Sequence, residues 1–118
     1  MLEVSIRTQD AATVVSPAGD IDRDSAAEFR QAMQAAAEQA LTLLLVDMAA
    51  VSFLDSAGLA VLVGTHRHLG AGQRLAVCNV PDRMRRVLHD TAMAALMSIH
   101  AADEPWPWPQ VPQPTARP

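Results

Sequence analysis

The segment VSFLDSAGLAVLVG, residues 51–64, decides how the rest of the chain is arranged. Its first residues continue an apolar run typical of a strand, and from Ser56 onward apolar residues such as Leu59 and Leu62 recur at helical spacing. The segment therefore predicts the end of a central strand followed directly by a helix. Asp55 and Ser56 lie at that junction, where open α/β sheets collect their functional groups.

Strand and helix patterns alternate along the remaining sequence. Alternating or continuous apolar residues predict strands at about 2–6, 13–18, 41–48, 74–80 and 97–100. Helical spacing begins near Ser25, where Glu28 completes a capping-box pattern, and a third helix begins at Pro81. This alternation predicts an α/β fold with a mixed, mostly parallel sheet of four to five strands flanked by helices. Pro17 indicates either that the second strand ends nearby or that this position needs no amide hydrogen.

The composition excludes several classes of protein. The 118 residues carry a net charge of -4, which argues against direct nucleic-acid binding because that requires a basic face. The single Cys78 forms no internal disulfide, and charged residues near the N-terminus exclude a signal peptide. Since no apolar stretch reaches membrane-spanning length, we expect a cytoplasmic protein without membrane insertion.

Proline marks the main internal boundary. Six of the eight prolines lie in residues 105–118, PWPWPQVPQPTARP, and a segment so rich in proline is predicted to be extended or disordered. We therefore assign residues 1–104 to one domain and 105–118 to a Pro/Trp-rich tail. Composition favours a solvated terminus, while Trp106 and Trp108 motivate the alternative of a docking peptide.

Asp55 and Ser56 have two interpretations from pattern alone. Either residue could cap the helix that begins here, a very common use of both residue types. Alternatively, free amides and the positive end of the helix dipole would accommodate a phosphate on Ser56. Without further information the cap is favoured.

Enzymatic interpretations lack the residues they need. A nucleophile elbow requires glycine where this chain has Leu54. His66 and His68 are two positions apart and point to different faces of a helix, so they do not form a zinc site. Cys78 is predicted to be a small core residue. No catalytic residue, metal ligand or cofactor site emerges, and we do not expect an enzyme.

Two groups of residues suggest possible contact surfaces. Arg83, Arg85 and Arg86 form the one basic cluster, which we interpret as a solvated helix face rather than a secondary partner contact. Leu54 and Leu59, if exposed beside Ser56, would add apolar area to an interface.

Three segments resemble a known family. GDID at residues 19–22, LLLVDMAAVSFLDSAGLAVLVG at 43–64 and RLAVCNVPDRMRRVLHDTAM at 74–93 resemble the STAS domain of bacterial anti-sigma factor antagonists. The similarity covers nearly all of residues 1–102 and excludes the tail. It implies the STAS fold, a mixed sheet flanked by helices.

The resemblance also implies a mechanism. In this family the serine that matches Ser56 is phosphorylated by an anti-sigma factor that is also a serine kinase, and a phosphatase reverses the modification. The unphosphorylated antagonist binds the anti-sigma factor and frees the sigma factor. Ala57 departs from members with a second hydroxyl, which leaves Ser56 as the acceptor in DSAGL. The partner-binding residues implied are Asp22, Asp55, Ser56, Ala57, Gly58 and Leu59.

A second functional class stays open. STAS proteins also act as accessory subunits of ABC transporters for phospholipids, and DSAGLAVLV at residues 55–63 resembles their motif. The GDID loop and the VPDRMRRVL segment, residues 80–88, favour the antagonist.

Overall fold

The computed structural model describes residues 2–9, 12–91, 97–101, 104 and 106. The order of elements alternates strand and helix after an initial hairpin. These elements are β1 Leu2–Gln9, β2 Ala12–Ile21, α1 Ala26–Gln39, β3 Leu43–Asp47, β4 Val51–Leu54, α2 Ser56–His68, β5 Arg74–Val80, α3 Asp82–Asp90 and β6 Ser98–Ala101.

The strands form one mixed sheet in the order β1-β2-β3-β5-β6, with β4 paired to β2. β1 and β2 are antiparallel, and the other pairs are parallel. The predicted α/β fold with a mixed, mostly parallel sheet is confirmed. Within the described residues the sheet has six strands, because residues 51–54 form a strand of their own.

The central strand ends earlier than the sequence predicts. β3 ends at Asp47, and a turn closed by the Val51 amide donating to the Met48 carbonyl at 3.1 Å separates it from β4. Residues 51–54 therefore do not continue the central strand. Instead β4 pairs with the far end of β2, where Ile21 lies opposite Leu54.

β2 continues through Pro17 and ends at Ile21, beyond the predicted end near residue 18. Its parallel pairing with β3 covers residues 12–15, and its pairing with β4 begins at Gly19. Pro17 falls between these two pairings. A residue without an amide hydrogen fits where β2 changes its partner.

The two faces of the sheet have separate apolar clusters. On the first face, side chains of β2, β3 and β5 pack against the buried sides of α1, α2 and α3, including Phe29, Leu62 and Leu88. The second face carries Ala12, Val14, Leu43, Leu45, Ala76 and Cys78. Successive residues of β3 alternate between the clusters, as expected for a strand covered on both faces.

The boundary predicted at residue 104 stays a prediction, and all of 105–118 except Trp106 lies outside the described residues. Trp106 is half-buried and packs against the second-face cluster. In the part of the chain that the structure describes, no helix is long and apolar enough to cross a membrane.

Gly58 marks the closest approach between α2 and the sheet. A Cβ added at Gly58 would lie 2.8 Å from Ile21 Cγ2, 3.2 Å from the Ile21 carbonyl oxygen and against Leu54 Cδ1. Gly64, two turns further along the same helix, has no heavy atom within 4 Å of the corresponding position. The start of α2 therefore depends on the absence of a side chain at residue 58.

We predict opposite effects of alanine at these two glycines. Gly58→Ala is expected to lower the free energy of unfolding by about 1–3 kcal/mol, because the new methyl group overpacks the contact with β2 and β4. Gly64→Ala is expected to raise it by about 0.5–1 kcal/mol, since alanine is the better helix former. Urea unfolding of both variants checks this, and equal effects would contradict the close approach.

Candidate partner-binding site at the start of α2

The carboxyl ends of β2 and β4 bring two distant acidic loops together. These strands are parallel neighbours, and the Asp55 amide donates to the Ile21 carbonyl at 3.1 Å. Asp22 follows β2 directly and Asp55 follows β4 directly. The structure therefore places the predicted residues Asp22 and Asp55 at one edge of the sheet.

Asp55 caps α2, and Ser56 does not. Asp55 Oδ1 accepts hydrogen bonds from the amides of Ala57 at 2.8 Å and Gly58 at 3.2 Å, while its own backbone is extended. Ser56 is the first helical residue and is exposed. The sequence left open whether Asp55 or Ser56 caps the helix. The structure places the cap on Asp55, and Ser56 is left without this structural role.

This cap corrects one expectation about phosphate. Free amides at the helix start were expected to accommodate a phosphate on Ser56, but Asp55 already accepts from two of them, those of Ala57 and Gly58. A phosphate on Ser56 would meet a carboxylate at the helix start instead of two free donors. It would therefore remain a surface charge.

Asp22 organises the loop before α1. Its Oδ1 accepts hydrogen bonds from the amides of Asp24 at 3.0 Å and Ser25 at 3.1 Å. Asp22 is half-buried, whereas Arg23 and Asp24 are exposed. Asp22 therefore fixes the shape of the loop, and its neighbours present the outermost charges.

The predicted capping box at Ser25 and Glu28 is wrong. Ser25 makes no side-chain bond to the first turn of α1, because its hydroxyl donates to the Asp20 carbonyl at 2.7 Å and accepts from the Asp22 amide at 3.0 Å. Serine side chains compete in this way for nearby backbone groups. The hydroxyl ties the end of β2 to the loop instead.

The exposed apolar residue beside Ser56 is Phe53, which sequence reasoning did not select. Its side chain is 52% exposed, whereas Leu54 is only 8% exposed and Leu59 is partly buried against the core. Burial along β4 does not alternate, because Val51 and Leu54 are buried whereas Ser52 and Phe53 are both exposed, and the register with β2 shifts between the partners of Val51 and Phe53. Such an irregular strand of four residues does not reveal from its sequence which member is exposed.

The three arginines of the basic cluster on α3 differ in their contacts. Arg83 Nη2 donates to the Ser52 carbonyl of β4 at 3.0 Å, so this side chain extends from α3 to the strand that precedes Ser56. Arg85 lies 3.5 Å from Asp82 and 3.6 Å from Glu104. Arg86 is exposed. Arg83 thus joins the site's border, which its position in the sequence did not indicate.

The remaining titratable groups do not form a metal centre among the described residues. No group of three or more His, Cys, Asp or Glu side chains in that part of the chain could hold a metal ion. Cys78 is buried, as predicted, and burial raises the pKa of its thiol well above its ordinary value. The Asp47 charge raises this pKa further, while Arg7 opposes the shift.

Comparison with known proteins shows the family. The STAS domain model matches residues 3–104. The anti-sigma-F factor antagonist RsfB of Mycobacterium tuberculosis is 30% identical over 105 residues, covering 86% of this chain and 86% of that protein. The chain belongs to the STAS-domain family of anti-sigma factor antagonists.

Solved structures agree with this assignment. An anti-sigma factor antagonist from Mycobacterium paratuberculosis has a TM-score of 0.79 and 29% identity, covering 85% of this chain and 86% of that one. The Bacillus cell fate determinant SpoIIAA in its phosphorylated form has a TM-score of 0.63 and 22% identity, covering 86% and 94%. The second likeness shows the fold alone. The curated relatives are named as antagonists, which are regulatory proteins rather than enzymes.

We predict that the cap and the exposed serine respond differently to alanine. Asp55→Ala is expected to lower the free energy of unfolding by about 0.5–2 kcal/mol, because two amides of α2 lose their acceptor. Ser56→Ala is expected to change it by less than about 0.5 kcal/mol, as is usual for an exposed position. Urea unfolding measures both values. A larger loss for Ser56→Ala would contradict the assignment of the cap.

Proposed function

We propose that this chain is a cytoplasmic anti-sigma factor antagonist whose partner is an anti-sigma factor with serine kinase activity. The unphosphorylated chain binds this partner and thereby releases a sigma factor. Phosphorylation of Ser56 ends the binding, and a phosphatase restores it. The observation that carries the proposal is the exposed Ser56, the first residue of α2, beside a cap made by Asp55.

The geometry around Ser56 suits a kinase substrate. The hydroxyl is at the surface, and the helix gives it a fixed direction. Among the residues that the structure describes, Asp55 alone satisfies the first amides through its side chain, so Ser56 is not required to hold the helix. Modifying Ser56 therefore leaves the fold intact and changes only the surface.

The electrostatics explain how one phosphate would act as a switch. It adds about -1.5 to -2 charge at neutral pH. Asp55 and the loop of Asp22 already make this edge of the sheet acidic. After phosphorylation, a partner surface that complements the unmodified edge would face a much larger negative charge. A pair of unit charges about 4 Å apart near a surface interacts by roughly 4 kcal/mol, and about 1.4 kcal/mol changes affinity tenfold. Even if solvent screens much of this energy, the remainder is sufficient to weaken partner binding.

We predict that Ser56→Asp weakens binding to the cognate anti-sigma factor at least about tenfold, whereas Ser56→Ala binds but accepts no phosphate. Ser5→Asp is the matched control, since Ser5 is exposed on β1 and its neighbours Val4 and Ile6 face the helical side. Calorimetry measures affinity, and mass spectrometry after incubation with partner and ATP locates the phosphate.

Full affinity of Ser56→Asp, or phosphate on another residue, would overturn the switch. Binding to the ATPase subunit of a phospholipid transporter, without binding to the anti-sigma factor, would instead support the alternative accessory-subunit function.

Phe53 supplies the apolar contact that this surface needs. It lies on β4 opposite Asp20, three residues before Ser56, and its ring is half exposed. Exposed aromatic rings at the centre of a contact contribute much of the binding energy of an interface, and a polar rim excludes water around them. Asp22, Asp55 and Arg83 supply that polar surround.

We predict that Phe53→Ala weakens partner binding at least about tenfold, because truncating such an anchor commonly costs more than 1 kcal/mol. Leu41→Ala is the control: Leu41 is 73% exposed but precedes β3, at the opposite end of the parallel strands. Both variants should unfold at similar urea concentrations. Equal affinities for Phe53→Ala and Leu41→Ala would remove Phe53 from the interface.

A further inference from the structure

The second face of the sheet is apolar at its centre. We call the cluster of Ala12, Val14, Leu43, Leu45, Ala76 and Cys78 the second-face patch; each of these residues is at most 6% exposed. It faces away from α1, α2 and α3, whose buried residues belong to the other cluster. Something other than these helices therefore covers it.

Trp106 contacts this patch. Among the described residues, it is the partly buried hydrophobic side chain that packs against the cluster. The match to the STAS domain ends at residue 104, so Trp106 lies beyond the part of the chain that the family model covers. Among the described residues, this contact with the patch thus comes from beyond the part of the chain that the family model matches.

Glu104 is held against the end of the edge strand β6. Its amide donates to the Ala101 carbonyl at 3.2 Å, and its Oε1 accepts from the Ala101 amide at 3.1 Å. The same carboxylate lies 3.6 Å from Arg85 Nη1 and 3.6 Å from His100 Nδ1. These contacts fix Glu104 beside β6 and α3.

The distance from Glu104 to the second-face patch is short enough for Trp106 to span. β6 is the neighbour of β5, which carries Ala76 and Cys78 of the patch. Adjacent strands are about 4.8 Å apart, and two extended residues span at most about 7 Å. The second face is therefore within reach of Trp106 from the position of Glu104.

We propose that Glu104 and Trp106 form an intramolecular clasp, in which Glu104 anchors the chain beside β6 and Trp106 occupies the second-face patch as a ligand supplied by the same chain. The patch is accordingly a binding surface for a tryptophan flanked by prolines. Pro105 and Pro107 lack amide hydrogens, so this segment is suited to docking by its side chain rather than by extending the sheet.

Cys78 provides a reporter for the clasp. It is the only cysteine, it belongs to the patch, and it is 1% exposed. Its thiol reacts with a disulfide reagent only when the patch opens. In the full-length protein we expect Trp106→Ala to accelerate this reaction at least tenfold, which corresponds to about 1.4 kcal/mol of lost protection.

Two variants separate the clasp from a general loss of stability. Trp106→Phe keeps an aromatic ring and should restore slow labelling, and Trp108→Ala, a matched change two residues away, should leave the rate unchanged. Urea unfolding identifies any part of the acceleration that comes from global unfolding. Unchanged labelling of Trp106→Ala, or equal acceleration in Trp108→Ala, would overturn the clasp.

Fluorescence gives an independent test. In Trp108→Phe the remaining emission comes from Trp106 and should be blue-shifted and protected from acrylamide in the native state. Emission and quenching equal to those of the urea-unfolded chain would show that Trp106 does not occupy the patch, and would overturn the proposal even if labelling rates differed.

Discussion

The short parallel pairing of β2 with β4 is the constraint on which the site depends. It places Ile21 opposite Leu54 and lets the Asp55 amide bond to the Ile21 carbonyl, so that two loops far apart in sequence meet at one edge. The pairing is possible only because α2 begins immediately afterwards with no side chain at Gly58. This one pairing therefore accounts for the start of α2, for the acidic edge that Asp22 and Asp55 form, and for the position of the exposed Ser56.

Within that edge, the helix cap and the proposed phosphorylation site lie on adjacent residues. Asp55 satisfies the amides at the helix start, which removes any need for Ser56 to do so. Because those amides are already occupied, a phosphate on Ser56 gains little from the helix N-terminus, and its charge is directed to whatever lies opposite the surface. Because Asp55 supplies the cap, a phosphate on Ser56 would change the surface charge without removing the cap. A phosphate on a capping serine would change both.

Periodicity predicted the long elements well and the short ones badly. β5 has the predicted bounds, and α2 begins at Ser56 as predicted, because long apolar patterns and a strong N-terminal signal dominate there. β4 was missed, since four residues after an apolar strand resemble its continuation. Exposure of Phe53 and the turned-back hydroxyl of Ser25 depend on tertiary pairing that no local pattern contains. Asp55 was found from its place between a strand and a helix and Asp22 through the resemblance, but the proximity of the two residues required the sheet order.

The two faces of the sheet separate the interactions of this chain. The helical face carries α2, and with it Ser56, while the second face contacts Trp106 from beyond the family domain. Trp106 belongs to the clasp and not to the acidic edge, so its emission follows the clasp. A partner that binds at Ser56 can leave the tryptophan signal unchanged, and the absence of such a signal carries no information about binding at that edge. The same separation lets the C-terminal extension vary without altering the start of α2.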